Sequence, residues 1–183
     1  MTKFISVLLG IAVLTSCQTT QRPAAPGQLF PGKVLNIRAP NSEGWKQLDS
    51  DSSREAKMFS RVVSINESYL AYVSLVQLPE SKDRDEFVTL IRQTILEKHA
   101  SKERLRSIEF NAEYTERRGD PCVRLKGVMD DTKARTAAGE QVLKLQTYTL
   151  VCRHPWRHQG RGSEGFLIEF SHRGPNLDPA LDA

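Results

Sequence analysis

From residue 56 onward the chain switches between two hydrophobic periods. Residues 56–65 and 69–78 are rich in β-branched and aromatic side chains, and Asn66-Glu67-Ser68 between them suits a tight turn, so the two runs predict a β-hairpin. Ile108, Phe110, Ala112 and Tyr114 alternate with Glu109, Asn111, Glu113 and Thr115, the mark of a strand with one wet face. Further strands are predicted over 122–129, 142–152 and 166–172. One segment has helical period instead. Phe87, Leu90, Ile91 and Ile95 fall on one face, Ser81 can cap the start, and Asp83, Asp85 and Glu86 favour its positive end. Lys98 and His99 sit near the negative end, which predicts an amphipathic helix over about 82–100. Strands, one main helix, then strands argue for an α+β fold with a largely antiparallel sheet.

The N-terminal pattern differs in kind. Lys3 precedes an apolar run over residues 4–14. Eleven helical residues reach about 16 Å, half of a roughly 30 Å hydrocarbon core, so the run is too short to span a bilayer and fits the h-region of a signal peptide. Leu14-Thr15-Ser16-Cys17 follows it directly and resembles the lipobox of bacterial lipoproteins. The resemblance implies cleavage before Cys17, diacylation of its thiol with chains such as palmitate, and acylation of the new amino group. In that family an aspartate after the cysteine favours the inner membrane. Gln18 stands there, which implies the periplasmic face of the outer membrane. The expected organisation is a signal peptide over 1–16, a lipidated tether over 17–32 rich in Gln, Thr, Pro and Ala, one domain over 33–173, and a disordered tail over 174–183.

Composition then narrows the partners. Cleavage leaves 167 of the 183 residues, enough for one ordinary domain, and loss of Lys3 takes the formal net charge from +4 to +3. That charge is too small to argue for nucleic acid. Of three cysteines one is used by the lipid, leaving Cys122 and Cys152 in a compartment that permits a disulfide. The strand pattern supports the same pair. If 122–129 and 142–152 form an antiparallel hairpin with Met129 facing Leu145, Cys122 falls opposite Cys152 and Val123 opposite Val151.

Residues 152–162 carry the oddest chemistry. Arg153, Arg157 and Arg161 stand with His154, His158 and Trp156 and no acid among them, which fits a loop gripping an anionic envelope component, or simply a solvated hairpin loop. A Cys2His2 zinc site from Cys122, Cys152, His154 and His158 is disfavoured, since Pro155 breaks the helix that would align the histidines and oxidation removes the thiolates. No nucleophile elbow, metalloprotease motif or phosphate-cradling glycine loop is present, so neither a cofactor, a resident metal nor a catalytic residue is assigned. Asp130-Asp131 reads as a turn, His99 and His172 as structural, and Arg118-Gly119-Asp120 as a β-turn. The element order is also loosely similar to that of PsbP-like domains. The expected function is a membrane-anchored envelope lipoprotein acting as a non-catalytic binding or scaffolding module. The alternative is an envelope hydrolase or metal-dependent enzyme with a scattered site.

Overall fold

The hairpin expected after residue 56 heads a much larger sheet. The structure, a computed structural model, describes residues 21–48, 56–100, 103–136, 139–153 and 163–181. Its strands are β1 (Gln21–Pro23), β2 (Leu29–Phe30), β3 (Ile37–Arg38), β4 (Lys46–Leu48), β5 (Lys57–Ser64), β6 (Glu67–Leu78), β7 (Leu105–Arg117), β8 (Asp120–Thr136), β9 (Gly139–Arg153) and β10 (Ser163–Gly174). The helix α1 (Arg84–Ala100) joins β6 to β7, and a 3-10 turn covers Pro179–Leu181. Eight strands form one sheet in the order β1-β4-β5-β6-β10-β9-β8-β7, all antiparallel, while β2 and β3 pair apart. The antiparallel sheet and the helix are as expected. Strands so outweigh the helix, however, that the architecture is nearer all-β than α+β.

Two covers lie on opposite faces of this sheet. On one face α1 turns Phe87, Ile91 and Ile95 inward onto Val123, Leu125, Val151 and Leu167. Burying such a side chain contributes about 1.5–3 kcal/mol, so this i, i+4 stripe holds the helix down. Its start differs from expectation. Asp83 Oδ1 accepts the Glu86 N–H at 2.8 Å and Glu86 Oε2 accepts the Lys82 N–H at 2.6 Å, a reciprocal cap one turn wide. Asp83 therefore caps the helix, and the Ser81 hydroxyl is taken by Arg153 at 2.6 Å. On the other face, the N-terminal segment packs Ala24, Ile37, Ala39 and Trp45 around Phe59.

That second cover moves the domain boundary. Gln21–Pro23 pairs with β4, the Ala24 N–H donates to the Trp45 carbonyl at 3.0 Å, and the Phe30 ring lies 5.3 Å from that of Phe59. Residues from Gln21 onward are thus part of the sheet, within the stretch expected to be tether. Prolines break up the periodicity there, but β1 finds its partner β4 more than twenty residues on, and β2 pairs with β3 close by. The expected disordered tail is likewise pinned: Tyr69 donates to Asp178 Oδ2 at 2.8 Å and the Asp178 N–H to Gln146 Oε1 at 3.0 Å.

Local irregularities have local causes. Arg118 (φ 55°) and Gly119 (φ 86°) form the two-residue turn between β7 and β8, and positive φ at both centres matches the twist of a tight hairpin. In β7 the register shifts between Ser107 and Glu109, so Ile108 is exposed, whereas Phe110 and Ala112 pack on the core beneath α1.

Candidate functional site

Each residue singled out in the sequence can be placed in turn. Cys122 faces Cys152 in the β8–β9 ladder, with Val123 opposite Val151, Leu125 opposite Thr149 and Met129 opposite Leu145. The two sulfurs are joined, both cysteines are fully buried, and their Cα atoms lie 4.0 Å apart. A disulfide leaves neither sulfur as a thiolate for the Cys2His2 zinc alternative. Among the described residues no group of three or more His, Cys, Asp or Glu is gathered as a metal would require.

Arg153 does not sit on an exposed connection. It ends β9 half-buried, with its guanidinium 4.4 Å from the Phe87 ring and donating to Ser81 Oγ at 2.6 Å and the Pro79 carbonyl at 3.3 Å. These contacts pin the approach to α1 and leave little of the fork for an anion. His154, Trp156, Arg157, His158 and Arg161 lie outside the described residues, as does Cys17.

Asp130 and Asp131 stand on β8 and not in a turn. Consecutive strand residues face opposite sides, and each carboxylate has its own cations. Asp131, 1% exposed, takes the Arg104 guanidinium in two hydrogen bonds, the Nε one at 2.9 Å, with Arg173 at 3.7 Å. On the other face Asp130 accepts from Lys144 at 2.7 Å and Arg106 at 2.6 Å, and these bonds hold its carboxyl below the usual range. Two adjacent acids thus become strand residues because neighbouring elements supply cations to both faces. His172 is buried with Nε2 3.2 Å from Glu67 and its ring 4.7 Å from that of Tyr69, and His99 lies buried near the end of α1. The hydrogen bond from Tyr69 holds the Asp178 carboxyl below its ordinary value, and burial followed by that same bond raises the Tyr69 phenol.

What the sequence reading missed is a cleft. α1 lies over β7 and β8, and between it and β6 opens an apolar hollow of about 220 Å³. Tyr72, Val76 and Leu78 form its floor, with Leu167 beside them and Ile91 and Ile95 as the helical wall. Lys98, at the rim, stands 3.9 Å from Glu169. The floor continues outward over β5 and β6 as Met58, Ser60, Leu70, Tyr72 and Ser74, without a charge. A signal was present: β6 carries no charged side chain from Ser68 to Leu78, on either face. One face of that strand serves the core around Phe59, while the other meets the cleft. Such a hollow offers dispersion and desolvation to an apolar ligand.

No protein-family model matches the chain, and no curated protein matches it in sequence.

Proposed function

We propose that this protein is a bacterial envelope lipoprotein, anchored through acylated Cys17, whose domain is a non-catalytic binding module. The observation that carries the reading is the contiguity of anchor and fold: the Leu14-Thr15-Ser16-Cys17 motif ends four residues before β1 enters the sheet at Gln21. Two or three acyl chains make escape from a membrane negligible. Four residues extend at most about 14 Å, so the anchor would hold the domain against the headgroups, not at the end of a long leash. Gln18 points to the periplasmic face of the outer membrane. The open apolar cleft supports binding over catalysis. Arg157 and Arg161, on the connection between β9 and β10, remain the cations proposed for an anionic envelope component. The α+β description, and the likeness to PsbP-like domains, rest on the order of hairpin, helix and antiparallel sheet alone.

Metabolic labelling with an acyl-chain analogue tests the anchor. Wild-type protein is expected to take up label and fractionate with membranes, and Cys17→Ala to lose the label and accumulate as precursor. Equal labelling of the two would end the lipoprotein reading.

A further inference from the structure

We propose that the cleft between α1 and β6 receives an acyl chain of a phospholipid in the membrane to which the domain is tethered. The inference rests on the reading of Cys17 as the anchor and adds what the domain does once held there. Three observations converge on it.

The first is direction. β1 runs opposite to β4, β4 opposite to β5, and β5 opposite to β6, so the N-terminal end of β1 points toward the end of the sheet where β6 finishes at Leu78. Leu78 and Pro79, at that same end, line the cleft.

The second is reach. Gln21 faces Leu48, Leu48 faces Met58, and Met58 faces Tyr72 at the cleft. Facing residues share a sheet face, and three inter-strand steps cover about 14–15 Å. Cys17 lies four residues before Gln21, at most about 14 Å of chain. The lipid attachment point is therefore within about 29 Å of Tyr72.

The third is chemistry. Met58, Leu70, Tyr72 and Val76 share this face of β5 and β6 with neutral Ser60 and Ser74, and Leu48 adjoins Met58 from β4; the charges on the neighbouring strands are Lys46 opposite Ser60, Glu169 opposite Tyr72 and Arg173 opposite Ser68. Charged residues would resist the low-dielectric side of a headgroup layer, and the charge-free strip along β5 and β6 that ends in an apolar hollow near Leu78 does not. The charges on the neighbouring strands, with Lys98 beside Glu169, stand at the level of Tyr72 or farther from Leu78, on the side away from the bilayer where water would be.

Photocrosslinking tests the proposal. The full mature protein is reconstituted into phosphatidylethanolamine–phosphatidylglycerol vesicles containing a phospholipid with a diazirine near the end of one acyl chain, then irradiated and mapped by peptide mass spectrometry. Crosslinks are expected on the segments 70–78 and 91–98. They should be lost in Val76→Trp, which fills the floor, and in Thr94→Trp, which blocks the mouth from an exposed helix position that leaves folding intact. Label spread over the surface, or unchanged in both folded variants, would overturn the proposal. Label on the cleft only when the diazirine is carried by the chains on Cys17 would overturn it too, by assigning the hollow to the protein's own lipid. The mass of the N-terminal peptide from the same preparation reports acylation of Cys17 separately. Should that peptide prove unmodified, the anchor reading fails, while cleft crosslinking by vesicle lipid still decides this one.

Discussion

Replacing Cys122 and Cys152 together by alanine isolates the contribution of the one covalent link in the sheet. The bond closes a loop with a sequence separation of 30 residues, and both ends are also partners in the β8–β9 ladder. In the folded protein the ladder already holds the two strands, so the bond acts mainly on the unfolded chain by removing its freedom to separate these points. Loop-closure entropy for about thirty residues amounts to about 3.6 kcal/mol at 25 °C. For a domain of this size each kcal/mol moves Tm by roughly 2–4 °C, so the double variant should melt about 10 °C below oxidised wild type. Thermal unfolding by circular dichroism, with and without a reductant, is the assay. Reductant should bring wild type down to the variant and leave the variant unmoved. Urea titration adds an independent mark, since a less constrained unfolded chain exposes more surface and steepens the dependence on denaturant. Coincident melting of oxidised wild type and double variant would refute the reasoning, because then the unfolded chain gains nothing from release of the loop.

Two further outcomes follow from the polar contacts. Asp131→Asn removes the buried carboxylate that Arg104 and Arg173 share; because Arg104 reaches solvent, the loss is set at roughly 1–3 kcal/mol in urea unfolding, and a change under about 0.5 kcal/mol would count against the network. The carboxyl of Asp178 is held below its ordinary value, so its contribution to docking the tail is complete above the unfolded pKa of about 3.9 and is lost as pH falls through the lower folded value. Pepsin should accordingly clip residues after Gly174 more readily as pH is lowered below about 4, and Tyr69→Phe should loosen the tail already at higher pH, whereas protection unchanged to pH 2.5 in both proteins would exclude the contact as the clamp.

The parts of the fold legible in the sequence are those set by neighbours in the chain. Alternation and a pair of cysteines were enough to align β8 with β9 residue by residue, because a slip by one would have turned Val123 and Val151 to the wrong face. The helix showed itself through Phe87, Ile91 and Ile95 for the same reason. Ile108 misled because a bulge costs a period-2 pattern nothing visible in one dimension. The placement of Gln21–Pro23, the docking of Asp178 on Tyr69 and the inward turn of Arg153 were not legible, since each depends on a partner twenty-three to over a hundred residues away. The cleft depends on which half of the sheet α1 leaves open. That is decided by the length of β6 and of the connection after it, not by any periodicity within the cleft itself.

The position of β10 has a consequence for how the molecule is assembled. It lies between β6 and β9, bonding Leu78 through Ser68 on one side and Arg153 through Lys144 on the other. Until those residues arrive, the hairpin β5–β6 and the meander β7–β9 are two separate half-sheets, each with an unsatisfied inner edge. Pairings across 85 to 105 residues are slow to form, so the nascent chain should persist without a stable sheet until β10 is inserted. If the chain is exported as proposed, threaded through a translocation channel before it folds, such lateness is an advantage. Its cost is a pair of sticky inner edges, exposed for as long as β10 is delayed, and these are where a chaperone would have to act.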